Sequence, residues 1–491
     1  MPCIQLPFLF LIISTIPPLF NAEFTVILPD SSSAQALDPP TQPGGASTWA
    51  RTDPTEQIAV QAIMAATGND WTASIPDVCR GRWHGIECVP GLDGDVYHVV
   101  SLSFGALSDD TAFPACSSGA TLSPAILSLP HLQSLFFYRC FTNNPQQIPN
   151  FLGQLGPKLR SLVLRENGHV GPIPTNLGNL TALHVLDLRG NQLMSTIPKS
   201  FQRLQNLQMF DLSHNTLSGL IPELKLPKLR ILDLSYNALH GQVPEGFGQC
   251  GSLLKIDLSR NRLSGSIPNS IGKLTNLILL DLSHNSLTGP FPVMLRKMNA
   301  LKALILNSNS MQESTIPNET FTGLKNLIML VISDMGLAGT IPDSIGYLPL
   351  LRVLRLDRNK FNGTIPKSFK NLEKISELSI SSNKLTGPVP FGKEMVWKLG
   401  KKLRVQNNLG LCFDETNSEA YEGIESLSGI ERCKSENITG QLRSSNSIGV
   451  VAHQTKHLAM RFNLKFSGAE RKYSVIYKVL LLSCLFFYCS L

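Results

Sequence analysis

Five carboxylates recur at one position of a repeating phrase: Asp187, Asp211, Asp233, Asp257 and Asp281. Carboxylates held in register could bind a cation, receive a basic ligand or form an acid–base pair. Catalysis would also need a placed nucleophile, a Cys/His pair or a metal set, and none accompanies them. His184, His214 and His284 lie singly along the chain. The phrase is nearly always L-D-L-S, so the aspartates read as a solvated stripe. Its departures are more informative: Arg165, Glu166, Arg189, Lys255, Arg260, Arg355, Asp357 and Arg358 place charged clusters towards both ends. A formal G-x-G-x-x-G spans 246–251. It precedes a strand instead of following one and opening a helix, so it is no dinucleotide fingerprint. No catalytic residue, metal site or cofactor is expected.

The elements that position these groups follow from a second pattern. Leu183, Leu186, Leu188, Asn191, Leu193, Ile197 and Pro198 read L-x-x-L-x-L-x-x-N-x-L-x-x-x-I-P, and the leading Leu or Ile recurs ten times from Leu159 to Ile375 at spacings of 22–26 residues. That period and wording resemble the leucine-rich repeat. The G-x-I-P ending at Gly265–Pro268, Gly339–Pro342 and Gly363–Pro366 resembles its plant-specific type. In each L-x-L, alternate side chains face inward from a short strand and the intervening ones face out. One repeat cannot bury its apolar face alone, so successive repeats stack and share a core. The Asn sits where the chain turns and can pair backbone groups of its own and neighbouring coils. The expected fold is an α/β solenoid: a leucine-rich-repeat superhelix with a parallel β-sheet on its concave face, disulfide-capped at both ends.

The 491 residues carry a formal charge of +7, with basic groups spread along the chain. No focused patch supports nucleic-acid binding. Residues 1–22 read as a secretory signal peptide with an apolar core at 4–20, and 23–52 as a disordered Pro/Ser/Gly-rich leader. From Asp53 a helix is expected, with Asp53 as N-cap, Pro54 in the first turn, Glu56 three residues on, and Ile58, Ile63 and Met64 as its apolar face.

The segment 79–88 ends Trp-x-Gly-Ile-x-Cys and resembles the amino-terminal cap (53–98) of plant leucine-rich-repeat receptors, which shields the apolar end of the stack from water. A Cys79–Cys88 disulfide fits a secreted chain. His84 between them makes only three ligands, wrongly spaced for a zinc module. The repeats occupy 99–391, about twelve of them, with the first two irregular. Cys116 lies in an insertion after Phe104, Cys140 replaces a ladder Asn, and the two are paired. In LFFYRC, Phe136 and Tyr138 hold outward positions. They are either an exposed aromatic hot spot or a surface covered by the folded insertion. Further on, two residues are added after Asn309 and Met335 takes a ladder Asn position, which predicts a looser or hydrated turn. Cys250 reads as a buried, unpaired thiol.

Sequons stand at Asn179, Asn318, Asn362 and Asn437, the first three expected in loops outside the strands. A polar stalk is expected over 434–466. The apolar tail at 479–491, after a spacer and the small residues Ser467, Gly468 and Ala469, reads as a lipid-anchor signal with Ser467 as anchor site, or as a short membrane helix. Either places the protein on the extracellular face of the plasma membrane, tethered at its C-terminus.

The runs 68–88, 96–114, 135–140 and 162–168 closely resemble the plant leucine-rich-repeat receptor-like proteins of stomatal patterning, and the likeness extends over roughly 51–412. The segment 407–412 resembles the usual close of this receptor class, which implies Cys433 as partner of Cys412 in a carboxy-terminal cap (392–433). The resemblance also implies a kinase-less co-receptor. It would associate with ERECTA-family receptor kinase ectodomains to perceive secreted cysteine-rich peptides and so restrict and space stomata. Contact residues read from the outward positions are Phe136, Tyr138, Arg165, Arg189, Arg355 and Arg358. Alternatives on the same repeat are an immune receptor-like protein and a cell-wall enzyme inhibitor.

Overall fold

The computed structural model describes residues 50–69, 76–81, 85–92, 94–105, 113–408, 410–413 and 430–433. The signal, stalk and anchor segments, His84, Asn437 and Ser467 lie outside them. Among the described residues a 15-stranded sheet runs the length of the stack. From Val96–Phe104 to Leu403–Arg404 its neighbours pair in parallel, one short strand per repeat. Three smaller sheets form beside it from the segments that follow each ladder Asn. The glycine of G-x-I-P sits in these: Gly265, Gly339 and Gly363 have φ of +75°, +78° and +72°, which explains why the plant-type repeat asks for glycine there. The smaller sheets are interrupted between Leu287 and Ala338, where the extra residues after Asn309 fall.

The I-P pair closes each repeat. Pro174, Pro198, Pro244, Pro268 and Pro342 each stand just before a short 3-10 helix on the convex side. The formal G-x-G-x-x-G falls on one of these, Glu245–Gln249. Between sheet and 3-10 helices runs one continuous core, with Leu186, Leu188, Phe201, Phe210 and Phe247 fully buried. The ladder asparagines line its edge. Asn215 Nδ2 donates to the carbonyls of Leu188 and Leu212, both at 3.0 Å, and its Oδ1 accepts from Leu193 N–H at 3.0 Å. Asn237, Asn261, Asn285, Asn309 and Asn383 repeat the arrangement. Met335 does not loosen its turn as expected. Its side chain is buried in the core, its N–H donates to Asn359 Oδ1 at 3.1 Å, and Asn359 Nδ2 also reaches the Ile332 carbonyl.

At the amino-terminal end residues 50–52, expected to be part of a disordered leader, are placed against the stack. Ala50 is buried, and Arg51–Thr52 pairs with Val96 and Tyr97. The helix Pro54–Ala66 is capped by Asp53, whose Oδ1 accepts from Thr55 and Glu56 N–H. Its buried face is Glu56, Ala59, Val60, Ile63 and Met64, whereas Ile58 is 67% exposed. A carboxylate thus takes the inward position that Ile58 was expected to fill. The disulfides Cys79–Cys88 and Cys116–Cys140 lie at this end and Cys412–Cys433 at the other, while Cys250 is free and buried.

Candidate functional site

The outward positions of the main sheet form aligned columns, because parallel strands in register bring equivalent residues side by side at about 4.8 Å. One column is Phe136, Val163, Asp187, Asp211, Asp233, Asp257, Asp281, Ile305, Val331, Arg355 and Ser379. It passes from an aromatic end, through five carboxylates, to an apolar patch and a charged end.

The aspartates are not the solvated stripe expected of them. Asp187 is fully buried, and Asp211, Asp233, Asp257 and Asp281 are 5–6% exposed. Each is walled in by its own column and by the columns on either side. Within a repeat, the serine two residues on closes the arrangement. Ser213 donates its N–H and Oγ–H to Asp211 Oδ1 at 2.9 and 2.6 Å, and Ser235, Ser259 and Ser283 do the same for their aspartates. Lys255, on the neighbouring column, puts Nζ 2.7 Å from Asp233 Oδ2 and 3.8 Å from Asp257 Oδ2.

Electrostatics then separate the five. Burial and the repulsion of Asp233 push Asp211 up to about 7 and Asp257 up to about 8, and burial lifts Asp281 to about 6. Burial also opposes the charge of Asp233, but Lys255 outweighs it and Asp233 is held below the usual range. Burial similarly opposes the Lys255 cation, and Asp233 and Asp257 raise it instead.

At the amino-terminal end the aromatic pair is covered. Phe136 is 1% and Tyr138 8% exposed, packed with Val163 and Val185. Phe113 from the Cys116 insertion lies over Phe136, ring centroids 6.0 Å apart. An exposed Phe136 hot spot is therefore excluded. The insertion supplies an aromatic lid that buries apolar surface the strand would otherwise show to water. Tyr138 donates its hydroxyl to Glu166 Oε2 at 3.3 Å, while Arg139 Nη2 sits 2.6 Å from the same oxygen. Burial opposes the Glu166 charge, but Arg139 holds its carboxyl below the usual range.

Arg165 and Arg189 are half-buried beside Asp187. Asp187 Oδ2 and Arg165 Nε are buried without a hydrogen-bond partner. At the other end Arg355 Nε pairs with Glu377 Oε1 at 2.7 Å, and exposed Arg358 lies 3.5 Å from Asp357. Between the acidic column and this pair, Leu279, Ala303, Ile305, Met329, Val331 and Val353 form an apolar patch. The expected contact cations thus sit at the two ends of one face, about a middle that is acidic and then apolar.

A second strip brings together residues that the sequence offered only singly, among them His214, Arg260 and His284. The residue just before each ladder Asn has a left-handed backbone, including His214 (φ 55°), Tyr236 (53°), Arg260 (53°) and His284 (53°). This turns successive side chains onto one rim of the sheet. His214 stacks on Tyr236 with centroids 4.2 Å apart, and the Arg260 guanidinium lies 5.0 Å from the Tyr236 ring centre. Its signal in the sequence is a column one place before the ladder Asn. Stacked, half-exposed aromatic and cationic groups are the kind that carry binding energy.

The exposed sequons Asn179 and Asn318 lie on convex 3-10 helices. Asn362 is in the strand Lys360–Gly363, not in a loop, although that strand belongs to a smaller sheet away from the main face. Among the described residues no helix is long and apolar enough to cross a membrane.

Comparison with known proteins places this geometry. The family described as Leucine rich repeat matches residues 157–217 and 252–311, and 228–250 and 350–372 match a second profile of the same name. "Protein TOO MANY MOUTHS" of Arabidopsis thaliana is 59% identical over 180 residues, 36% of each chain. "Receptor like protein 29" of the same plant is 38% identical over 142 residues, 28% of this chain and 29% of the relative. The matched segments thus span about a third of these relatives' length. Among solved structures, the "PEPR1-AtPEP1" complex superposes with a TM-score of 0.60 at 29% identity, covering 73% of this chain and 49% of that one. "Plant peptide hormone receptor RGFR1 in complex with RGF2" gives 0.53 at 31% identity, covering 60% and 46%. With its register, its Asn ladder and its disulfide-capped ends, the chain has the leucine-rich-repeat fold, and over about a third of its length it is similar to the receptor-like protein TOO MANY MOUTHS.

Proposed function

We propose that the chain is a kinase-less, cell-surface receptor-like protein, tethered at its C-terminus to the extracellular face of the plasma membrane. It acts as co-receptor with ERECTA-family receptor kinases to perceive secreted cysteine-rich peptides, and so restricts and spaces stomata. The observation that carries this reading is the 59% identity with TOO MANY MOUTHS over 180 residues. The superposable plant peptide hormone receptor RGFR1, solved in complex with RGF2, supports a peptide-binding role for this repeat type.

The mechanism follows from rigidity. A stack whose turns are tied by Asn at most repeats presents a preformed surface, so docking costs little ordering entropy. Tethering beside the kinase raises the effective concentration of one for the other. Contacts are assigned to the two charged ends, Tyr138, Arg165 and Arg189 on one side and Arg355 and Arg358 on the other, with the Tyr236 rim between. Co-purification of the tagged full chain from plant epidermal membranes tests the reading. Recovery of an ERECTA-family kinase supports it; recovery of a pathogen-derived molecule or a wall enzyme instead would favour the alternatives.

A further inference from the structure

The helix Pro54–Ala66 turns Glu56 inward, where its side chain is 2% exposed. Oε2 accepts the Val99 N–H at 2.6 Å, which fixes the carboxylate. Oε1 is then approached by two imidazoles, His98 Nδ1 at 2.8 Å and His131 Nδ1 at 3.3 Å. The rings stack with centroids 3.9 Å apart and 30° between planes. One ligand atom from each of the three residues lies within 4.8 Å of the others.

This convergence is more than a satisfied carboxylate needs. One ring would complete Oε1, yet two are stacked on it, brought from positions 42 and 75 residues away. A tetrahedral ion with bonds of about 2.0–2.2 Å sets its ligand atoms roughly 3.3–3.6 Å apart, a spacing close to the 2.8 and 3.3 Å that separate Oε1 from the two Nδ1 atoms. In the neutral rings the Nδ1 proton can move to Nε2, freeing a lone pair on each Nδ1 without changing charge. The side chains of His98 and His131 are 22% and 35% exposed, so an ion can enter and water can fill a fourth position. Two imidazoles with one carboxylate suit zinc-class ions and not calcium or magnesium.

We propose that Glu56, His98 and His131 form a binding site for a zinc-class divalent cation, which clips the amino-terminal helix to the first two strands of the stack. The ion replaces two hydrogen bonds by three coordinate bonds and ties residues of the cap, of Val96–Phe104 and of the turn before Ser134–Tyr138 to one point. Its affinity falls with acid, because protonated imidazoles cannot coordinate.

The test uses the full chain, stripped with chelator, and the ions Zn²⁺ and Co²⁺. Calorimetry should give one Zn²⁺ per chain, and Co²⁺ should show the intense visible bands of a four-coordinate nitrogen–oxygen site. His131→Gln, at the most exposed of the three positions, should keep its circular dichroism while losing the bands and weakening Zn²⁺ binding by more than about 100-fold, beyond the 10–100-fold typical of a supporting residue. Zn²⁺ should raise Tm in the parent chain and not in the variant. Equal Zn²⁺ affinity or an equal Tm rise in both proteins would overturn the proposal, as would no binding by a folded parent chain. His98→Gln provides a second variant should His131→Gln fail to fold.

Discussion

Lys255 Nζ lies 2.7 Å from Asp233 Oδ2, so one ammonium neutralises the middle of a five-carboxylate column. Everything else in the column adjusts to that pair. Asp257, next to it, shares the same lysine at 3.8 Å and is raised to about 8, while Asp211 rises to about 7.

A carboxyl whose pKa rises on folding holds more protons folded than unfolded. Its stability contribution is full below the unfolded value near 4 and is lost as pH rises through the folded value. His169 works the other way: burial lowers it to about 4, so its contribution is present above about 6.5 and lost as pH falls. The two oppose each other below about 6.5, and between about 6.5 and 8.5 the aspartates dominate. Thermal unfolding should therefore show Tm falling between pH 6.5 and pH 8.5, by roughly 2–4 °C per kcal/mol lost. Asp257→Asn should flatten that slope. An unchanged slope would show that Asp257 is ionised throughout.

Lys255→Met removes the counter-charge and leaves Asp233 buried among carboxylates. The expected loss is about 3 kcal/mol at pH 7, read from denaturant unfolding. Lys255→Met combined with Asp233→Leu should recover most of it, because the double change removes both members of the pair. No recovery would locate the lysine's contribution elsewhere.

Asn215→Leu deletes one rung of the ladder and strands the Leu193 N–H, together with one partner each of the Leu188 and Leu212 carbonyls. Losses of about 1–3 kcal/mol per buried group left unpaired predict about 3 kcal/mol in all. Hydrogen exchange should show the loss concentrated in the coils around Asn191 and Asn237, since repeats couple to their neighbours.

Arg260→Ala removes a half-exposed guanidinium resting on Tyr236. Stability should change by less than about 1 kcal/mol. Partner affinity should fall at least about tenfold if the rim is a contact surface. Binding left intact would exclude the rim and leave the two charged ends as the docking surface.

The architecture was legible because a repeat prints its own structure. The Leu spacing marks the strands, the Asn marks the turn, and the Gly of G-x-I-P marks a positive φ. The sites were less so, for three physical reasons. Alternation correctly turned Asp211 and Asp257 outward, but neighbours on both sides bury an outward residue in a long parallel sheet. Phe113 covers Phe136 from an insertion with no periodicity to announce it. Glu56, His98 and His131 meet across 42 and 75 residues, and nothing local distinguishes them from a capping Glu and two ordinary histidines.

Titration calorimetry of the purified full chain in detergent, against an ERECTA-family ectodomain with and without a secreted cysteine-rich patterning peptide, tests the central claim most directly. The account predicts saturable 1:1 binding with a Kd of about 1 µM or tighter in at least one of the two conditions. An absence of binding in both, with folded partners, would contradict the co-receptor reading.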